Sequence, residues 1–185
     1  MLAIFRALAF SVLSYLLLNV AGLPSSRSSD ASADLGGLSI GDIINALGVG
    51  LVKSINATIT LDSLTTNLIS INFIAKNPLP IELTIDSVSS SAGLNGTEYA
   101  TFSHTFNPPV VVPILGTANS GTIPNVLLVQ GATASLAIIP FGELDLLNVN
   151  VNVRAGTIFG FGGIPIPIDG LKQSDVPVTY NLDLD

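Results

Sequence analysis

Leu147-Asn148-Val149-Asn150-Val151-Asn152-Val153-Arg154 alternates apolar and polar residues without a break. Successive side chains on an extended strand point to opposite faces, so this spacing buries one face and wets the other. A helix would scatter the same valines around its whole surface. The period of two recurs. Ile55, Ala57, Ile59 and Leu61 alternate with Asn56, Thr58 and Thr60. Ile69, Ile71 and Phe73 follow, and Ile81, Leu83 and Ile85 alternate with Glu82, Thr84 and Asp86. Residues 97–106, TEYATFSHTF, read as a further strand. Half-buried strands punctuated by turn residues indicate an antiparallel sandwich or barrel. VVVPILGT and NVLLVQGATASLAII, within 110–140, fit strands, the second with room for one helical turn.

One stretch departs from this period. Ile40, Ile43, Ile44, Leu47 and Leu51 recur at helical spacing, and Ser39 with Asp42 makes a capping box. A short helix across 39–47, packed on the sheet, is expected. Gly41, Gly48 and Gly50 oppose it, each costing ~1 kcal/mol against alanine.

Composition narrows the partners. Only 10% of the 185 residues are charged and 48% are hydrophobic, so Ser, Thr and Asn must supply most of the wet face. Six basic residues are scattered singly against a net charge of −7. No basic patch exists to neutralise phosphates, which argues against nucleic acid and against electrostatic docking on anionic lipid. Cysteine is absent. Disulfides, thiolate metal sites and thiol nucleophiles are excluded together.

The opening, MLAIFRALAFSVLSYLLLNVAG, has the layout of a secretory signal peptide. Arg6 precedes an apolar run, and Val20-Ala21-Gly22 offers small residues before a cut at Leu23. The expected division is a signal peptide over 1–22, a disordered Ser- and Asp-rich leader over 23–37, and one domain over 38–185. Retention of the first segment as a membrane anchor is the alternative, although its apolar run is short against the ~20 residues of a spanning helix. Asn56-Ala57-Thr58 and Asn95-Gly96-Thr97 fit the glycosylation acceptor pattern. Asn95-Gly96 is also a turn signal, which places that asparagine on an exposed tip.

Chemistry-bearing residues are few. His104, the single histidine, falls on one face with Phe102 and Phe106, the pattern of a packed residue. No G-x-S-x-G elbow accompanies it. Glu143 with Asp145, and Asp183 with Asp185, read as solvated pairs. GTIFGFGG, at 156–163, lacks the lysine of a phosphate loop and is expected as a turn with Phe159 and Phe161 packed. IPIPI, at 164–168, reads as an edge strand. No catalytic residue, metal site or cofactor is expected.

Between two strand patterns stands Lys76-Asn77-Pro78-Leu79-Pro80. Pro78 biases Asn77 toward extended geometry, Pro80 has no N–H for a ladder, and the Asn77 side chain is suited to hold the bend. SLTTNLISINFIAKNPLPIELTIDSVSSSAGLNGTEYA, beginning at Ser63, resembles the late-embryogenesis-abundant group 2 domain, also called the water-stress and hypersensitive-response domain. The likeness rests on Ile69-Ser70-Ile71-Asn72-Phe73, then Asn77-Pro78, then Ile81-Glu82-Leu83-Thr84-Ile85, then Asn95-Gly96. Secreted or membrane-tethered fungal relatives look similar. The resemblance implies an immunoglobulin- or fibronectin III-like antiparallel β-sandwich with one short packed helix. It also implies a non-enzymatic role in stress protection, surface binding or membrane association. With the export signal, this gives an expected non-catalytic extracellular glycoprotein that binds a protein, a wall polymer or a lipid at the cell exterior; the alternative is a lipid-binding or membrane-contact protein whose sandwich parts to admit an acyl chain between Val and Ile side chains.

Expressed in a secreting eukaryotic host, the chain is expected to leave the cell beginning at Leu23, with hexose-rich mass on Asn95. An intact mass that keeps residues 1–22 would refute the cleaved form.

Overall fold

The computed structural model describes Asn45 and residues 48–184. Eight strands follow in chain order: β1 (Val52–Thr60), β2 (Leu68–Lys76), β3 (Leu83–Leu94), β4 (Thr97–Val112), β5 (Thr117–Asn119), β6 (Ile123–Leu128), β7 (Glu143–Ala155) and β8 (Ile164–Asp183). A one-turn helix, Ser63–Thr66, joins β1 to β2. A second, Ala132–Ser135, continues into a 3-10 segment, Leu136–Phe141, between β6 and β7. The helix expected over 39–47 lies almost wholly outside the described residues, although Asn45 itself is helical.

The architecture corrects the expected sandwich. Seven strands close on themselves in the order β1-β8-β7-β3-β4-β6-β2, and β2 pairs again with β1. The result is a closed β-barrel, with β5 extending the β6 side of β2. A sandwich keeps two sheets with free edges; here β1 is paired on both sides. One of those pairings is parallel, Ile55 to Val178 through Thr60 to Asp183, so the sheet is not purely antiparallel either. Closure removes the unpaired N–H and C=O rows that make edges a liability.

Bulges allow the closure. An extra residue on one strand bends it and increases its twist. β3 shifts register between Ile85 and Ser87, against β4 and against β7. Its interior set therefore changes phase, from Ile85 to Val88 and Ser90. β7 breaks phase as well. Leu144 and Leu146 are interior, then Val149 and Val153, while Leu147 is only half-buried. The uninterrupted alternation from Leu147 thus belongs to a strand whose facing flips one residue later.

One end of the barrel carries the first residue of β1, the connections β2–β3, β4–β5 and β7–β8. Asn77 fastens it. The residue is 1% exposed. Its Nδ2 donates to the carbonyls of Ile81 (2.7 Å), Pro113 (3.1 Å) and Val112 (3.3 Å). Its Oδ1 accepts from the Leu79 N–H at 2.9 Å, and its own N–H donates to Gly116. The Asn77-Pro78 bend therefore reaches beyond local geometry and ties two loops together. At the opposite end Asn67 acts likewise: its Oδ1 accepts from Ala132 N at 2.8 Å and its carbonyl from Leu128 N.

Removing a partner from a buried hydrogen-bond set leaves the others unsatisfied, at ~1–3 kcal/mol each. Asn77→Ala is expected to destabilise the fold by about 3 kcal/mol in urea unfolding, and Pro78→Ala by less than about 1 kcal/mol. Equal midpoints for the two variants would show that the side chain does not carry the clasp.

Candidate functional site

The barrel interior is not filled. Strand interior positions hold Val and Ile, but Ala57, Ala75, Ala92 and Ser90 are small, and space remains opposite them. Two chambers result. The first, about 110 Å³, lies toward the Asn77 end and is walled by residues such as Phe73, Leu83, Val112 and Val153. The second, about 60 Å³, lies toward the Ala132–Phe141 cap and includes Tyr99, Val126, Ile138 and Val178. Ile55, Ile71, Ser90, Phe102 and Leu146 border both. The walls are almost wholly apolar, and an apolar cavity of ~150 Å³ stays dry and accepts a benzene-sized guest. The first chamber is of that order, so it seats a ring or a few methylenes with the side chains as they stand.

The wall beside the first chamber is incomplete. β8 pairs with β7 from Ile164 onward, but β1 joins β8 only from Ile55 and Val178. Pro165 and Pro167 lie in the part that β1 does not reach and supply no N–H to it. Val49 and Leu51 cover this seam and line the chamber. On its β2 side the Leu51 carbonyl accepts from Lys76 N at 2.7 Å, but on its β8 side the cover is held by side chains, not ladder bonds. Gln173 Nε2 donates to Val52 O at 2.6 Å, and Val52 N donates to Gln173 Oε1 at 3.1 Å. Asn45 Nδ2 donates to Gly170 O at 2.7 Å, and Lys172 N donates to Asn45 Oδ1 at 2.8 Å. The edge strand expected over 164–168 is paired on its β7 side, and its prolines mark this seam.

The β7–β8 connection at the same end corrects a second expectation. Phe159 and Phe161 do not pack: they are 85% and 81% exposed, beside exposed Ile158. On the neighbouring β4–β5 connection Ile114 and Leu115 are exposed as well. The loop beneath the tip is rigidly braced. Arg154 grips Asp86 through Nε and Nη2, at 2.9 Å each, and donates from Nη1 to the carbonyls of Gly160 and Gly162. Glu82 accepts from Gly160 N (3.0 Å) and from the Thr157 hydroxyl (2.8 Å). Since a carboxylate only accepts, the Thr157 proton is committed there, and buried Thr84 is the donor in the 2.9 Å Thr84–Thr157 contact. Gly160 has φ +80°, and a Cβ there would meet Val111 at 2.7 Å; Gly163, at φ +90°, is as tight against Thr157. Glycine is thus required for the loop to lie flat on the barrel end.

Other expected residues are placed as follows. Asn95 sits at the β3–β4 tip, exposed and with φ 51°, followed by Gly96. Asn56 is half-buried on β1, and its Nδ2 donates to Asn72 Oδ1 at 3.0 Å, a bond that a glycan would displace. His104 stacks edge-on against Phe106 at 4.9 Å. Asp145 accepts from Asp175 N; Asp185 lies outside the described residues. Among the described residues no group of three acidic or histidine side chains is placed to hold a metal. The sequence suggested an apolar space lined by Val and Ile only as a parting of a sandwich, and singled out none of the residues that line the chambers. Their one local signal was small residues at interior strand positions, and which positions are interior depended on the bulges.

The Gly160 N–H, and then the Thr157 hydroxyl, hold the Glu82 carboxyl below its ordinary value of 4.5. A depressed folded pKa means that the brace is fully present above the unfolded value and is lost as pH falls through the folded one. Amide exchange at Gly160 is expected to lose protection on acidification below 4.5, and Glu82→Gln to abolish that acid dependence. Protection unchanged down to pH 2 would disprove the brace.

No family model matches the chain, and no curated protein matches it. Among solved structures, a crystal structure of a protein from Archaeoglobus fulgidus is similar at 12% identity and a TM-score of 0.31. The likeness covers 66% of this chain and 96% of that one.

Proposed function

We propose that the protein is a non-enzymatic carrier of small apolar or amphipathic molecules, exported from the cell, which meets lipid surfaces through the Ile158–Phe161 tip. The observation that carries this reading is the apolar double chamber inside a closed barrel. Binding cavities for small molecules are concave and mainly apolar with few polar groups. Of the exterior partners the sequence suggests, the chamber favours lipid over a wall polymer or a folded protein, neither of which fits an enclosed space.

The tip supports the second half. Soluble chains seldom hold consecutive large apolar side chains in water without a use for them. Three residues are too small a patch for the ~1,200 Å² of a stable protein interface, but they are sufficient for insertion into a lipid interface. The net charge of −7 gives no attraction to anionic headgroups, so a neutral bilayer is the expected surface. The tip and the first chamber share one end of the barrel, which would bring the seam beside the bilayer.

Naphthalene, small enough for the two chambers, is expected to bind the secreted chain one to one and to brighten as it is shielded from dissolved oxygen. Ser90→Leu, filling the junction of the chambers, is expected to weaken it about tenfold, or ~1.4 kcal/mol, with an unchanged melting temperature. The double variant Phe159→Ser, Phe161→Ser is expected to keep naphthalene and lose flotation with phosphatidylcholine vesicles. A chain that neither brightens naphthalene nor floats would end the proposal.

A further inference from the structure

The second chamber holds a feature that an apolar carrier does not need. The Ser135 Oγ and the Tyr180 hydroxyl are sealed from solvent and have no hydrogen-bond partner among the described residues. Both side chains line the chamber. Buried polar atoms in native proteins are nearly always satisfied, and an orphan in an apolar wall calls for a reason. Here the two orphaned side chains border one small space, from unrelated elements. Tyr180 comes from the last turn-free stretch of β8, and Ser135 from the one-turn helix that caps the barrel. Ser135 is itself only 6% exposed.

We propose that this pair is the recognition point for the polar end of the bound molecule. The two hydroxyls donate to a neutral oxygen, a hydroxyl or a carbonyl, while the apolar remainder runs past Ser90 into the first chamber. This rests on the carrier reading above and names its ligand class.

Charge decides the class. The wall of the second chamber contains no lysine, arginine or histidine. A carboxylate or phosphate there would be a buried charge without a partner, which apolar surroundings oppose strongly. A neutral oxygen needs only donors, and both hydroxyls supply them. Burial pushes the Tyr180 hydroxyl up to about 12, so it stays protonated and donating at physiological pH. Neither oxygen is touched by a water-sized sphere as the side chains stand, so both hydroxyls must turn into the chamber to meet a ligand oxygen. Ser90, buried and bordering both chambers, stands where an apolar chain would pass.

The test is displacement of naphthalene from the full secreted chain by octane, 1-octanol, 2-octanone and octanoate, at neutral pH. The alcohol and the ketone are expected to bind at least about tenfold more tightly than octane, and octanoate no better than octane. Tyr180→Phe combined with Ser135→Ala is expected to erase that preference while leaving octane unchanged. Because each substitution removes an orphaned hydroxyl, the empty variant should melt at the same temperature or higher. Equal binding of octane and octanol by the wild type overturns the recognition point and leaves the carrier reading standing. So does a preference that survives the double substitution. Tightest binding by octanoate overturns the neutral class. Failure of all four to displace naphthalene overturns both readings.

Discussion

β1 is bonded along both edges, antiparallel to β2 and parallel to β8, and the rest of the molecule follows from that double pairing. It turns a twisted sheet into a ring and encloses the interior faces of seven strands, although β8 before Val178 has no ladder partner on its β1 side among the described residues. The same ring sets the two ends. Loops that would lie far apart on an open sheet become neighbours around a rim, which is why one asparagine side chain, Asn77, reaches carbonyls on two of them.

Closure also creates the space. In a barrel of this size interior side chains nearly fill the lumen, so small residues at interior positions leave holes that no second sheet can collapse into. Ala57, Ala75, Ser90 and Ala92 occupy such positions. The ring is weakest where β8 carries prolines and β1 has not yet joined. There the wall is completed by Val49 and Leu51 and fastened by the side chains of Gln173 and Asn45. A wall held by a few side-chain bonds opens more easily than one held by a ladder, and it stands beside the larger chamber.

Two polar arrangements answer opposite needs. At the tip, Glu82, Arg154, Asp86 and Thr157 are fully engaged with one another and with the loop backbone, and their work is to hold apolar side chains out in water. In the second chamber, the Ser135 and Tyr180 hydroxyls have no hydrogen-bond partner among the described residues. The first is a finished network that stiffens a surface; the second is an unfinished one inside an apolar wall. Together with the chambers they describe a shell with apolar side chains exposed at one rim and two unpaired hydroxyls beside the chamber at the other end, among the described residues.

The sequence by itself determined the strands and much of their facing. Ile55, Ala57 and Ile59, and Ile69, Ile71 and Phe73, are buried as their alternation required, because the pleat is a local property. It also determined the turn at Asn95-Gly96 and the bend at Asn77-Pro78, where single residues have strong conformational demands. Only the tertiary structure decided that the sheet closes. Period two says which residues face inward and nothing about which strands meet; the pairing of Ile55 with Val178 joins opposite ends of the domain. The phase flip after Leu147, the outward Phe159 and Phe161, and the chambers depend on bulges and on ring closure. Those are relations between strands, and no window of sequence contains them.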